Sequence, residues 1–247
     1  MIEHHNTIIV IPARMWAKGL PGKPLADING LPMVVHIWKQ AVAANIGHVL
    51  VAAAENQIAD AVRAAGGDAM VTPLNLASSL DRIAAALNMR DPAKRFENVL
   101  SIPAHLPLIE KLDLQRCLAG LTNEAVQMAT LASNLSDQTL IDDPKIVKVI
   151  SALNANREVA FARDFVRQVD DSFEPPFWQH IPIYAYRRAA LDHLADMPPS
   201  TRETLRGLEQ MRALDHDMRM AVVKVDTAPL AVNTPADLEA ARRIMKA

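Results

Sequence analysis

IIVIPARMWAKGLPGKPL, Ile8 to Leu25, decides how the rest of this 247-residue chain is read. Ile8 to Ile11 is an unbroken apolar run, which predicts a short strand buried on both faces. Pro12, Gly19, Pro21, Gly22 and Pro24 follow. Neither a helix nor a ladder strand runs through that punctuation. Arg14, Lys18 and Lys23 place cations on the resulting loop. A strand that empties into a basic loop at the carboxyl edge of an α/β sheet is a common place for a phosphate-bearing ligand. A solvated connector with ordinary surface cations fits the spacing equally well.

Outward from this loop, strand and helix patterns alternate. Asp27 to Gly30 reads as a turn, followed by a helix opened by Pro32 and ended by Gly47. His48 to Ala54 reads as a strand, and the next helix stops at Gly66-Gly67. A short strand, DAMVT, precedes a helix capped by Ser78 or Ser79. Glu97 to Pro103 is the next buried strand. Ile8–Ile11, His48–Ala52 and Val99–Ile102 are expected side by side in one mainly parallel sheet flanked by helices. The second half is less regular. It reads as a helix over Leu108–Leu121, strands over Gln127–Ser133, Lys145–Ala152, Glu158–Phe165 and His180–Arg187, and a turn at IDDP. One helix is predicted over Arg202–His216, then the strand MAVVKVD. A last helix is capped by Thr234 with Pro235 at its first position. The expected fold class is α/β, with a smaller mixed α/β lobe.

Composition bounds the function. Half the residues are hydrophobic but only 4% are aromatic, so the core is aliphatic. The net charge of −2, without long runs of one sign, argues against nucleic acid and membrane surfaces as partners. A single cysteine, Cys117, excludes an intramolecular disulfide and a thiolate zinc site. MIEHHNTIIV lacks a basic segment followed by a long apolar run, so neither a signal peptide nor a membrane helix is expected, and the expected location is cytoplasmic. His4 and His5 are not expected to be ligands. GxGxxG, Walker, HExxH and GxSxG patterns are absent.

IPAR followed by LPGKPL resembles the signature loop of the sugar-activating nucleotidyltransferases. HVLVA, QMATLA, DDPKIVKV, HIPIYAYR, LEQMRAL and VNTPADLE follow in order. With them the chain resembles the CMP-3-deoxy-manno-octulosonate synthetase family almost end to end. The resemblance implies one nucleotidyltransferase-like domain over 1–247, with a nucleotide-side half to about residue 125 and a sugar-side, dimerising half beyond it. It implies CTP-dependent activation of 3-deoxy-manno-octulosonate, or a related sugar acid, for lipopolysaccharide synthesis by a homodimer. Arg14 and Lys23 map onto catalytic, phosphate-contacting positions, and Lys18, Ser78 and Arg82 onto the nucleotide side. His105, Arg163, His180, Tyr184, Glu203, Glu209 and Gln210 map onto the sugar side. The resemblance places the Arg14–Lys23 loop, Ser78–Arg82, His105, Arg163 and Asn233 around one pocket.

The family also uses Mg²⁺, which requires hard oxygen ligands. The two carboxylate positions that the resemblance assigns to the metal hold His105 and Asn233 here. Imidazole is a poor Mg²⁺ ligand, and an amide brings no charge. The arginine before LPGKPL is replaced by Gly19, the Ser-Gly-Thr-x-Arg block reads Ser78-Ser79-Leu80-Asp81-Arg82, the Thr-Asp pair reads Ala53-Ala54, and a strand glycine is Pro182. No metal ligand is therefore assigned, and weak Mg²⁺-dependent CTP binding with little transfer is expected. The alternative to the enzyme is a catalytically impaired paralogue, a pseudoenzyme that binds a ligand or regulates.

Overall fold

The computed structural model describes residues 6–16, 19–170 and 173–246. They form two compact units. One is the chain up to Gln115 together with the segment from Pro229; the other is Arg116–Ala228. The sequence division near residue 125 placed the last helix with the second half, whereas its contacts group it with the first.

The first unit begins with β1 (Thr7–Ala13), a 3₁₀ turn at Lys23–Leu25, a hairpin of β2 (Asp27–Ile28) and β3 (Leu31–Pro32), and α1 (Met33–Ala43). It continues through β4 (His48–Ala53), α2 (Asn56–Ala64), β5 (Asp68–Val71), α3 (Ser79–Arg90), β6 (Asn98–Ser101) and α4 (Lys111–Ala119), within which the division falls. Its strands run β5-β4-β1-β6, every pair parallel. Ile8 stands opposite His48 on one side and Val99 on the other, the neighbourhood expected from the sequence. Ile8, Ile9, Val10 and Ile11 are fully buried, which is why their run does not alternate. The loop after β1 thus leaves the carboxyl edge of a central strand.

The second unit contains β7 (Met128–Leu135), α5 (Gln138–Asp142), β8 (Lys148–Ser151), β9 (Val159–Val166) and β10 (Phe177–Arg187). Three helices follow, α6 (Arg188–Asp196), α7 (Thr201–Arg206) and α8 (Met211–Asp215), then β11 (Met220–Val225). The strand order is β10-β7-β11-β9-β8, with only β7–β11 parallel. A short β10–β8 pairing at Trp178–Val149 and Gln179–Lys148 closes the ring. The last helix, α9 (Pro235–Ile244), belongs to the first unit, where the Arg242 guanidinium donates to the Asp27 carbonyl at 2.7 and 2.9 Å.

Several boundaries differ from the sequence reading. The helix α1 ends at Ala43, before Gly47. The helix expected over Leu108–Leu121 is confined to Lys111–Ala119, and the strand from Lys145 begins at Lys148. The IDDP turn instead completes a short helix, because Asp137 caps it by accepting from the Thr139 N–H at 2.9 Å. The single helix over Arg202–His216 is two, broken where Gly207 adopts a left-handed φ of 61°. Pro182 lies where β10 loses register between Ile181 and Tyr184. Thr130 Oγ1 sits 3.1 and 2.8 Å from the Ile181 and Ile183 carbonyls left at that bulge. No helix among the described residues is long and apolar enough to cross a membrane.

Two outcomes follow from this packing. A Cβ on Gly47 would lie 2.2 Å from the Thr7 carbonyl oxygen, backbone that cannot move without displacing β1. Gly47→Ala should destabilise the protein by about 2–4 kcal/mol in urea unfolding. Gly66→Ala has no heavy atom within 4 Å and should cost only about 1–2 kcal/mol for its left-handed backbone. The second outcome concerns His180, whose Nε2 is 3.1 Å from Thr130 Oγ1. The single hydroxyl proton of Thr130 serves a carbonyl, so His180 donates from Nε2 as a neutral imidazole. Burial pushes its pKa from 6.5 down to about 3. The folded state therefore binds fewer protons below pH 6.5, and stability should fall as pH drops from 6.5 towards 3, by up to about 1.4 kcal/mol per unit. Thermal melts across this range should fall less steeply for His180→Gln; parallel curves would show that His180 is not responsible.

Candidate functional site

On the first unit, the loop after β1 has no ladder to hold it. Gly22, at a left-handed φ of 72°, donates its N–H to the Met15 carbonyl at 2.9 Å and closes the loop on itself. The Met15 N–H donates to Glu55 Oε2 at 3.0 Å, at the start of α2. A Cβ on Gly19 would stand 2.7 Å from the Asn233 carbonyl oxygen, so the loop lies directly on the segment that enters α9. Only glycine fits that approach, at the position where the resemblance expects an arginine. Lys18 lies outside the described residues.

Two loop cations emerge with different surroundings. The Arg14 guanidinium is exposed and stacks over the Trp16 ring, 5.3 Å from its centroid. Lys23 is half-buried at the start of the 3₁₀ turn, and its Nζ donates to Asn233 Oδ1 at 3.0 Å. Loss of hydration lowers its pKa, opposed by the charge of Asp237. Arg14 borders a cavity of about 30 Å³ with Ser78, Ser79 and Arg82. His105 and Asn233 are not among its lining residues; they belong to the cluster around Lys23.

Ser78 and Arg82 are committed to local structure. Ser78 Oγ accepts from the Asp81 N–H at 3.1 Å while Asp81 accepts from the Ser78 N–H at 3.0 Å, a reciprocal cap on α3. Arg82 is buried and points inward, donating to Thr72 Oγ1 at 2.5 Å and to the Pro73 carbonyl at 3.1 Å. It fastens the loop that precedes α3. Its field opposes a second cation at Arg14, whereas Glu55 offsets it.

The positions that the resemblance assigns to the metal carry other donors. The His105 carbonyl accepts from the Val232 N–H at 2.9 Å, tying the turn after β6 to the α9 entry. Burial, and then the Lys23 charge, push the His105 imidazole down to about 4, so it is neutral at pH 7. Asn233 Oδ1 already accepts from an ammonium. The nearest acid on this segment, Asp237, accepts from the Asn233 and Thr234 N–H groups at 3.0 and 2.8 Å as the cap of α9. Among the described residues, no group of three or more His, Cys, Asp or Glu is arranged to hold a metal ion. A neutral imidazole and an amide beside a fixed cation do not fit Mg²⁺.

On the second unit, His180, Tyr184 and Tyr186 form a run of ring contacts along β10, with centroids 5.6 and 5.9 Å apart. Phe165 closes edge-on against His180 at 4.9 Å. Burial, and then the neighbouring Tyr186 and Glu209, raise the Tyr184 phenol well above its usual pKa. Glu209 and Gln210 lie in the turn between α7 and α8, not in mid-helix as the sequence suggested. Gln210 is buried, and its Nε2 has no hydrogen-bond partner. Glu203 is engaged twice. It caps α7 through the Ser200 N–H and takes a two-pronged bond from the Arg212 guanidinium at 2.7 and 2.8 Å. Arg163 stands apart on the exposed side of β9, where it lines an 820 Å³ cavity with Arg157, Val159 and Phe161. His180, Tyr184, Glu209 and Gln210 do not line that cavity.

Three residues escaped the sequence reading. Glu55 holds the loop one residue beyond the Ala53-Ala54 pair where the resemblance expects an acid. An acid opening a helix after a strand was its only signal. Trp16, in the middle of the basic loop, is the surface on which Arg14 rests. Asp237 could have been found from the spacing Thr234-x-x-Asp237, the pattern of a capping box.

Known proteins match along nearly the whole chain. A family model described as cytidylyltransferase covers residues 8–220. A 3-deoxy-manno-octulosonate cytidylyltransferase of Paramagnetospirillum magneticum is 40% identical over 97% of this chain and 98% of its own length. Its counterpart in Rhodopseudomonas palustris strain HaA2 is 44% identical over the same shares. The solved structure of a CMP:2-keto-3-deoxy-manno-octonic acid synthetase complexed with CTP superimposes with a TM-score of 0.87 at 30% identity, covering 97% of this chain and 98% of that one. A 4-diphosphocytidyl-2C-methyl-D-erythritol synthase from Anaerococcus prevotii, at 11% identity and a TM-score of 0.65, shares the fold alone. By the reach of these matches, the chain belongs to the cytidylyltransferase family and, within it, to the 3-deoxy-manno-octulosonate cytidylyltransferases.

Proposed function

We propose that this protein transfers the cytidylyl group of CTP to 3-deoxy-manno-octulosonate, in support of lipopolysaccharide synthesis. A hydroxyl oxygen of the sugar acid attacks the α-phosphorus and gives up its proton to solvent, the bond from that phosphorus to the bridging β-phosphate oxygen breaks, and pyrophosphate leaves. The observation that carries the reading is the loop after β1, whose Arg14 and Lys23 cations stand at the edge of a central parallel strand. Arg14 and Lys23 neutralise the phosphates, a role in which fixed charge acts without reorganisation as the transition state forms. His180, Tyr184, Glu209 and the unpartnered Gln210 amide form the sugar-side group; an amide that lacks a protein partner is one that a sugar hydroxyl or carboxylate satisfies. Ser78, Arg82 and Glu203 support these groups through the caps and loops they hold. Arg163 is retained as a sugar-side candidate by resemblance only.

The family's Mg²⁺, when bound with CTP, supplies counter-charge to the triphosphate. The residues present at 105 and 233 do not fit it as ligands, so none of the steps above is assigned to it. We place the protein in the cytoplasm, where CTP is made available, and as a homodimer. The exposed Val159 and Phe161 side chains on β9 support the dimer, because their apolar surface lies in the half that the resemblance assigns to dimerisation.

Incubation with CTP, the sugar acid and Mg²⁺ should yield the CMP-sugar and pyrophosphate by mass spectrometry; folded protein that yields neither would favour the non-catalytic paralogue. Lys23→Met should lower kcat/KM for CTP by about 10²–10³-fold without loss of fold. Phe161→Glu should shift the oligomer towards monomer in light scattering.

A further inference from the structure

The Lys23 ammonium, the Asn233 amide and the His105 imidazole sit on one unit, at the place where the family resemblance calls for paired acids. Their arrangement is specific. Lys23 Nζ bonds Asn233 Oδ1 at 3.0 Å, and Gly19 presses on the carbonyl of the same asparagine. Asn233 is therefore gripped by the loop at its backbone and at its side chain. Among the described residues, the carboxylate acting on Lys23 is that of Asp237, whose Oδ2 already accepts the N–H groups that open α9.

We infer that this cluster is a cation built into the protein: Lys23, held by Asn233, receives the nucleotide triphosphate directly, and CTP binding needs no protein-held divalent ion. The inference deepens the cytidylyltransferase reading and rests on it. The amide carbonyl orients the ammonium without cancelling its charge, which a carboxylate at the same position would do. The remaining Nζ protons stay available for phosphate oxygens. A second cation, Arg14, leaves the same loop with a planar fork suited to another phosphate. A divalent ion placed among these groups would meet an ammonium rather than acids, and a neutral imidazole that gives it no charge.

The test is calorimetric titration of CTP into the full chain, once with excess EDTA and once with Mg²⁺. The dissociation constants should agree within about threefold. Manganese added without nucleotide should show no protein-bound signal in electron paramagnetic resonance. Asn233→Asp should reverse the pattern, weakening CTP by at least about tenfold in EDTA and regaining it with Mg²⁺. Lys23→Met should lose CTP affinity equally in both buffers. CTP binding by the unaltered protein that is tenfold or more tighter with Mg²⁺, or manganese bound before nucleotide, overturns the inference and leaves the cytidylyltransferase reading standing. No CTP binding in either buffer overturns both.

Discussion

A basic loop that forms no ladder must be held by contacts from elsewhere in the chain. In this protein those contacts arrive from three directions. The loop closes on itself where Gly22 donates to Met15. It is tied to α2 through Met15 and Glu55, and to the entry of α9 through Gly19, Lys23 and Asn233. Each hydrogen bond contributes about 1 kcal/mol, so together they choose one loop shape from many. The loop geometry consequently depends on helices distant in sequence. The Asn233 contact exists because Thr234 and Asp237 cap α9 reciprocally and so fix where its first turn begins.

The buried and exposed cations divide by what they are bonded to. Lys148 is fully buried, and its ammonium donates to the Asp143 and Arg167 carbonyls at 2.7 and 2.9 Å. Arg82 does the same for Pro73, and the Arg187 guanidinium for Leu121 and Val126 at 2.8 and 2.9 Å. These cations close loops that would otherwise leave carbonyls unpaired, and the closure offsets the loss of hydration. Arg14 has a ring face and Lys23 a single amide oxygen. The donors they keep set these two apart from the cations spent on carbonyls, although all are the same two residue types in the sequence.

That distinction explains what was legible beforehand. The strand Ile8–Ile11 and its neighbours could be read because burial on both faces of a parallel sheet leaves an uninterrupted apolar run. The caps at Ser78 and Thr234 could be read because their chemistry is local. The inward bonds of Arg82 could not be read, since its partners Thr72 and Pro73 are set by how the loop folds back before α3. The same holds for Glu203, whose partner Arg212 lies on the next helix. The single helix over Arg202–His216 was misread because one glycine is tolerated within a helix by pattern alone. Its left-handed φ, visible only in the fold, is what ends α7 and delivers Glu209 and Gln210 to a turn.

Gly19 and Asn233 are best understood as one change rather than two. A Cβ at 19 would stand 2.7 Å from the Asn233 carbonyl oxygen, so an arginine there would push the loop away from α9. With the loop displaced, Lys23 would leave the Asn233 side chain. Glycine brings the loop in, and the amide then receives the ammonium that arrives with it. An aspartate at 233 in this closed arrangement would place a carboxylate where the Lys23 ammonium bonds, 3.0 Å away, and cancel its charge. The amide orients the ammonium without adding a negative charge. Gly19 and Asn233 thus act together: the close approach of the loop and the bond from Lys23 hold a lysine in place by an amide.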